Sequence, residues 1–112
     1  MITIYHNKRC SKSREGLEKV KNSGKDFNVR EYLKDPLSKK ELSGLIKKLN
    51  ILPSQLIRSN EKKWKEFKDR DLSEEKLIAV MVEHPELIER PIVEIEETAV
   101  IGRPSSQIEK IL

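Results

Sequence analysis

The 112-residue sequence predicts an α/β fold running β-α-β, a helical insertion, then β-β-α around a mixed four-stranded sheet. Three observations carry that expectation. The β-branched, aromatic run Ile2-Thr3-Ile4-Tyr5 precedes a helical pattern and then an alternating run from Asp26 to Leu33. A helix-rich stretch follows, opened by Asp35-Pro36 and closed by His84-Pro85. Two more β-rich runs, Ile92-Val93-Glu94-Ile95 and Thr98-Ala99-Val100-Ile101, are separated only by Glu96-Glu97 and lead to a last helical pattern.

In chain order, the first helix is expected to begin just after Cys10, with Leu17 and Val20 one turn apart and Ser23-Gly24 as its stop. The alternation from Asp26 to Leu33 reads as a strand with one buried face, and strand-helix-strand implies a parallel pair joined by a right-handed crossover. Ser38 with Glu41 forms a capping-box signature ahead of Leu42, Leu45, Ile46 and Leu49 at helical spacing. Between Leu52 and Asp71 short helical pieces are expected, with Ile57, Trp64 and Phe67 packed to one side, Trp64 as an anchor to the core, and Arg58-Ser59-Asn60 in a loop. A helix starting near Ser73 carries Leu77, Ile78, Met81 and Val82 and ends at His84-Pro85, with His84 expected at the surface. The two late β runs read as an antiparallel hairpin, and Ile108, Ile111 and Leu112 as a short closing helix.

A parallel pair extended by an antiparallel pair, with helices on both faces, resembles the thioredoxin fold. The length suits one domain over residues 1–112, with the helical insertion at about 36–89. Hydrophobic residues make up 36% and charged residues 38%, with five aromatics, so the core must rest on Leu, Ile and Val, and the composition is that of a globular chain. No apolar run is long enough to span a bilayer and the N-terminus reads as a strand, so no membrane partner is expected and cytoplasm is the expected compartment. The net charge of +4 does not imply nucleic acid, because lysines interleave with glutamates along the helices and no aromatic basic strip is present. A single cysteine forms no internal disulfide and no cysteine metal cluster. No metal and no bound cofactor are expected. A monomer is the working expectation.

That cysteine, Cys10, lies in His6-Asn7-Lys8-Arg9-Cys10-Ser11-Lys12-Ser13-Arg14, with no apolar neighbour within three residues. An arbitrary lone cysteine is most often a small buried hydrophobe, but a polar, cationic run is a poor place for a core residue. At the start of a helix, free N–H groups and the positive dipole end favour thiolate over thiol. Lys8, Arg9, Lys12 and Arg14 add positive charge, and His6 can hydrogen-bond or carry a proton. Arg90 and Arg103 each precede a proline, which biases them toward extended backbone at strand ends or loops, and Arg58 also falls in a loop. Guanidinium groups from separate loops can grip one oxyanion with paired N–H donors. Taken singly, an arginine more often makes an ordinary surface salt bridge, and spacing alone does not bring these three to Cys10.

The runs Tyr5-His6-Asn7-x-x-Cys10-x-x-Ser13-Arg14, Leu56-Ile57-Arg58-x-Asn60, His84-Pro85-x-Leu87-Ile88-x-Arg90-Pro91-Ile92-Val93 and Gly102-Arg103-Pro104 resemble, in order, the glutaredoxin-linked arsenate reductases of the ArsC family. The resemblance spans nearly the whole chain. It differs at Lys8, where members commonly have proline, and at Ser11, where some have glycine. It implies that Cys10 is the nucleophile, that Arg58, Arg90 and Arg103 bind and polarise the oxyanion, that His6 helps to set the thiol pKa, and that Pro91 is the cis-proline opposite the cysteine. It also implies arsenate as substrate, glutathione as co-substrate and glutaredoxin as the partner that resolves the mixed disulfide. Two alternatives stand beside this reading: a thiol oxidoreductase acting on another substrate, and a regulator like the Spx-type proteins. The second lacks its Cys-x-x-Cys switch here, since Ser13 occupies the later position.

Overall fold

In the computed structural model, which describes residues 1–112, the elements follow in the order β1 (Ile2–Tyr5), α1 (Ser11–Asn22), β2 (Phe27–Arg30), α2 (Lys39–Leu49), α3 (Glu74–Glu83), β3 (Ile92–Ile95), β4 (Thr98–Ile101) and α4 (Ser106–Glu109), with short 3-10 turns at Pro53–Leu56, Lys62–Glu66 and Pro85–Leu87. The strands form one sheet in the order β2-β1-β3-β4. β1 pairs with β2 in parallel and with β3 antiparallel, and β3 pairs antiparallel with β4. This is the mixed sheet of the thioredoxin-like fold, with α2, α3 and the 3-10 turns inserted between β2 and β3.

The period-two pattern of the strands distributes the core to two faces. Ile2 and Ile4 of β1 and Val93 of β3 join Val20 of α1 and Ile108 of α4 on one side. Tyr5, Ile92 and Ala99 face the opposite way and pack with Leu42, Leu45 and Ile46 of α2 and with Leu77 and Met81 of α3. Glu94 lies on this second face, where it accepts from the Tyr5 hydroxyl at 2.6 Å and from Lys48 Nζ at 2.5 Å, so α2 is tied to the middle of the sheet by charge as well as by apolar contact.

Helix starts follow their signatures. Ser38 Oγ accepts from the Glu41 N–H, and the Glu41 carboxylate accepts from the Ser38 N–H, completing the box. Glu41 also takes Arg30 at 2.6 Å, which holds its carboxyl down at about 2 and fixes α2 to the end of β2. Cys10 is the N-cap of α1, with extended backbone at φ −97° and ψ 121°.

Two local expectations are corrected. The strand expected from Asp26 to Leu33 stops at Arg30, because the chain turns at Glu31, whose carbonyl accepts from both Lys34 and Asp35 N–H groups. As an edge strand, β2 leaves Val29 exposed, while Tyr32, beyond the turn, is driven into the larger core at 1% exposure. His84 is half-buried at the end of α3, its ring 5.5 Å from that of Phe67. The apolar side of the 3-10 turn at Lys62–Glu66 reaches the core as expected, with Trp64 and Phe67 packed against the larger cluster.

Among the glycines, the two with close neighbours both face Pro91. A Cβ on Gly16 of α1 would lie 2.6 Å from Pro91 Cγ, and a Cβ on Gly102, just after β4, would lie 3.0 Å from Pro91 Cγ and 2.7 Å from Ile108 Cδ1. Two glycines thus let a helix and a strand end close on one proline ring. Gly16→Ala is expected to destabilise the protein by roughly 1–3 kcal/mol, overpacking outweighing the gain in helix propensity. Gly44→Ala in α2, where nothing lies within 4 Å, should stabilise by about 0.5–1 kcal/mol. Denaturant unfolding of the two variants checks this, and equal shifts of the same sign would refute the packing argument.

Candidate active site

Cys10 sits where β1 hands over to α1, half-buried rather than sealed in the core. Burial acts to raise its pKa, yet the net direction is downward, because the backbone N–H of Ser13, the Arg90 guanidinium and the backbone N–H of Lys12 all favour the thiolate. The helix start therefore supplies donors to the sulfur, and the one side chain that adds charge to them comes from the far end of the chain.

The loop before Cys10 is held by Ser13. Its side chain is fully buried, and its Oγ accepts from the Asn7 N–H at 3.0 Å and lies 2.6 Å from His6 Nδ1. Ser13 Oγ can meet Nδ1 of a neutral imidazole as donor or as acceptor, according to the tautomer. Burial pushes the His6 pKa down, consistent with that neutral form. His6 thus meets the site through Ser13, whose N–H in turn faces the sulfur. Arg14 takes another course: its Nη1 donates to the Lys8 carbonyl at 2.8 Å, bracing the loop from the exposed side.

The arginines are assembled by a bridge that no local pattern announces. Ile57 and Ile88 pair antiparallel outside the main sheet, with Arg58 N–H donating to Leu87 O at 2.7 Å and Glu89 N–H donating to Leu56 O at 2.9 Å. This clamps the segment bearing Arg58 to the segment that leads into Arg90. Both guanidinium groups then approach the same oxygen, Glu61 Oε2, at 3.7 Å from Arg58 Nε and 4.0 Å from Arg90 Nη1. Arg58 also lies 3.9 Å from Glu89, and Arg90 Nη1 donates to the Glu86 carbonyl at 3.5 Å. Arg103 reaches the same end of the sheet by another route, since the Gly102 N–H donates to Pro91 O at 2.8 Å and so sets Arg103 beside the Arg90-Pro91 step. The Arg90–Pro91 and Arg103–Pro104 peptide bonds are both cis.

The donors of these arginines are not all satisfied. Arg58 Nε, Arg90 Nε and Arg103 Nη1 are buried without a hydrogen-bond partner, as are the Tyr32 hydroxyl and Glu89 Oε1. Buried polar groups in folded proteins are nearly always paired, so the unpaired donors on Arg58 and Arg90, which share Glu61, and on Arg103 mark groups able to receive a further acceptor. The ion-pair partners of Arg58 and Arg90 stand at 3.7–4.0 Å, too far for good hydrogen bonds. Ser13, Tyr32, Glu61 and Glu89 join the site although no local pattern assigned them a role. Only Ser13 had a usable signal, its position three residues after the N-cap; Tyr32 read as a strand residue.

The ArsC family model matches residues 5–111 of the chain. The uncharacterized protein YfgD of Escherichia coli (strain K12) is 44% identical over 99% of this chain and 96% of its own length. An arsenate reductase of Haemophilus influenzae is 40% identical, covering 99% and 98% of the two chains. Among solved structures, the arsenate reductase from Vibrio cholerae superimposes with a TM-score of 0.94 at 42% identity, covering 99% of this chain and 97% of that one.

The thiol chemistry is measurable directly. Alkylation of Cys10 by iodoacetamide should rise with pH through a midpoint below that of an ordinary cysteine, and Arg90→Ala should move that midpoint upward by removing the guanidinium that favours the thiolate. An unchanged midpoint in Arg90→Ala would show that the helix N–H groups act alone.

Proposed function

The chain belongs to the ArsC family, and from that premise we propose that it reduces arsenate to arsenite with Cys10 as nucleophile. The observation that carries this reading is the set of buried, unpartnered guanidinium nitrogens on Arg58, Arg90 and Arg103, of which Arg90 also acts on the Cys10 sulfur at the start of α1. A tetrahedral oxyanion offers several acceptor oxygens and the charge that such donors lack. The names of the relatives support arsenate as that anion.

In the proposed reaction the arginines hold arsenate while the Cys10 thiolate attacks arsenic, and a bound oxygen leaves as water to give a thiol–arsenate adduct. Glutathione brings the second thiol. The two electrons that take As(V) to As(III) come from the two sulfurs, which end joined as a Cys10–glutathione disulfide as arsenite departs. Glutaredoxin then reduces that disulfide by thiol exchange and restores Cys10. A single protein cysteine is enough because the other thiols come from outside. Lys8 and Lys34 both line an open cavity of about 260 Å³ beside the Cys10 loop, each ammonium opposing the other, and the carboxylates of a thiol peptide such as glutathione would relieve that repulsion.

Purified protein supplied with arsenate, glutathione and glutaredoxin should release arsenite, and Cys10→Ser should abolish release. Arg90→Lys should lower kcat/KM by about tenfold or more, because a point charge replaces a planar fork. Turnover that survives Cys10→Ser, or wild-type protein that releases no arsenite with any thiol donor, would overturn the proposal.

A further inference from the structure

Tyr32 is fully buried, yet its hydroxyl has no hydrogen-bond partner. A tyrosine in a core usually directs its O–H to an acceptor, and an unpaired one costs stability that phenylalanine in the same place would recover. Tyr32 also has no place in the sheet, since it enters the core only after the chain turns away from β2 at Glu31. The charges that act on the hydroxyl are Arg90, Cys10, Arg58 and Glu61, which are the components of the site already described. Burial raises its pKa to about 12, so it stays protonated, a donor and not an acceptor, through the range in which Cys10 ionises.

Resting on the oxyanion reading above, we propose that Tyr32 is a substrate-binding residue whose hydroxyl donates a hydrogen bond to the anion held by Arg58, Arg90 and Arg103. Three guanidinium groups supply charge, but each of Arg58 and Arg90 also has a carboxylate nearby. A neutral O–H adds a donor without adding charge that Glu61 and Glu89 would have to balance. It also favours an anion whose oxygens can accept from several directions at once over one that fills only the arginine forks.

Tyr32→Phe separates this role from a structural one, because the two predict opposite effects on the free protein. The expected result is a melting temperature in the absence of anion equal to or above wild type, a KM for arsenate raised roughly tenfold, and an unchanged pH midpoint for Cys10 alkylation. A lower melting temperature, or a variant that does not fold, would make Tyr32 structural and overturn the proposal. An unchanged KM would overturn it while leaving the arsenate reading intact, since wild type would still turn over. A shifted alkylation midpoint with unchanged KM would place the donor on the thiolate instead and overturn it too. If wild type releases no arsenite, the reading and this role fall together.

Discussion

Pro91 pressed between Gly16 and Gly102 is the contact on which the site depends. It lets α1, the start of β3 and the end of β4 meet at a separation that no Cβ would permit. Cys10 stands at the start of α1, Arg90 immediately precedes Pro91 and Arg103 immediately follows Gly102. Three groups from distant parts of the chain therefore inherit their relative positions from one steric fit. Proteins transmit such fits because their interiors are close-packed and yield little to added volume.

The helical insertion completes this frame rather than decorating it. Its packing against the Tyr5, Ile92 and Ala99 face of the sheet carries the segment around Ile57 to Ile88, and the short antiparallel bridge there sets Arg58 against the approach to Arg90. Glu61 and Glu89 then screen the guanidinium groups from one another without occupying all their donors. Left-over donors cost folding free energy. Those of Arg58 and Arg90 stand together beside Glu61, as expected where stability is traded for binding.

The thiol shows the same division of labour. Helix geometry contributes backbone N–H groups from Lys12 and Ser13, and Ser13 in turn fixes the loop by tying Asn7 and a neutral His6 to its buried hydroxyl. The dense positive charge around Cys10 in the sequence matters less than its density suggested. Lys8 and Arg9 are exposed, and Arg14 is committed to a carbonyl. Among side chains it is Arg90, eighty positions away in sequence, that acts on the sulfur.

Local pattern was sufficient for the strands, the helix starts and the hairpin, because period, caps and turn residues are properties of a few neighbouring positions. It also marked Cys10 as misplaced for a core and the Pro-flanked arginines as misplaced for a helix face. It did not limit β2 to four residues, since the end of an edge strand depends on the turn at Glu31 and on where Tyr32 can be buried. Nor could it join Arg58 to Arg90 or give Tyr32 and Ser13 their positions, because these follow from the Ile57–Ile88 bridge and the fit around Pro91. Contacts of that kind link residues tens of positions apart, and only the folded packing of the whole chain decides which of them form.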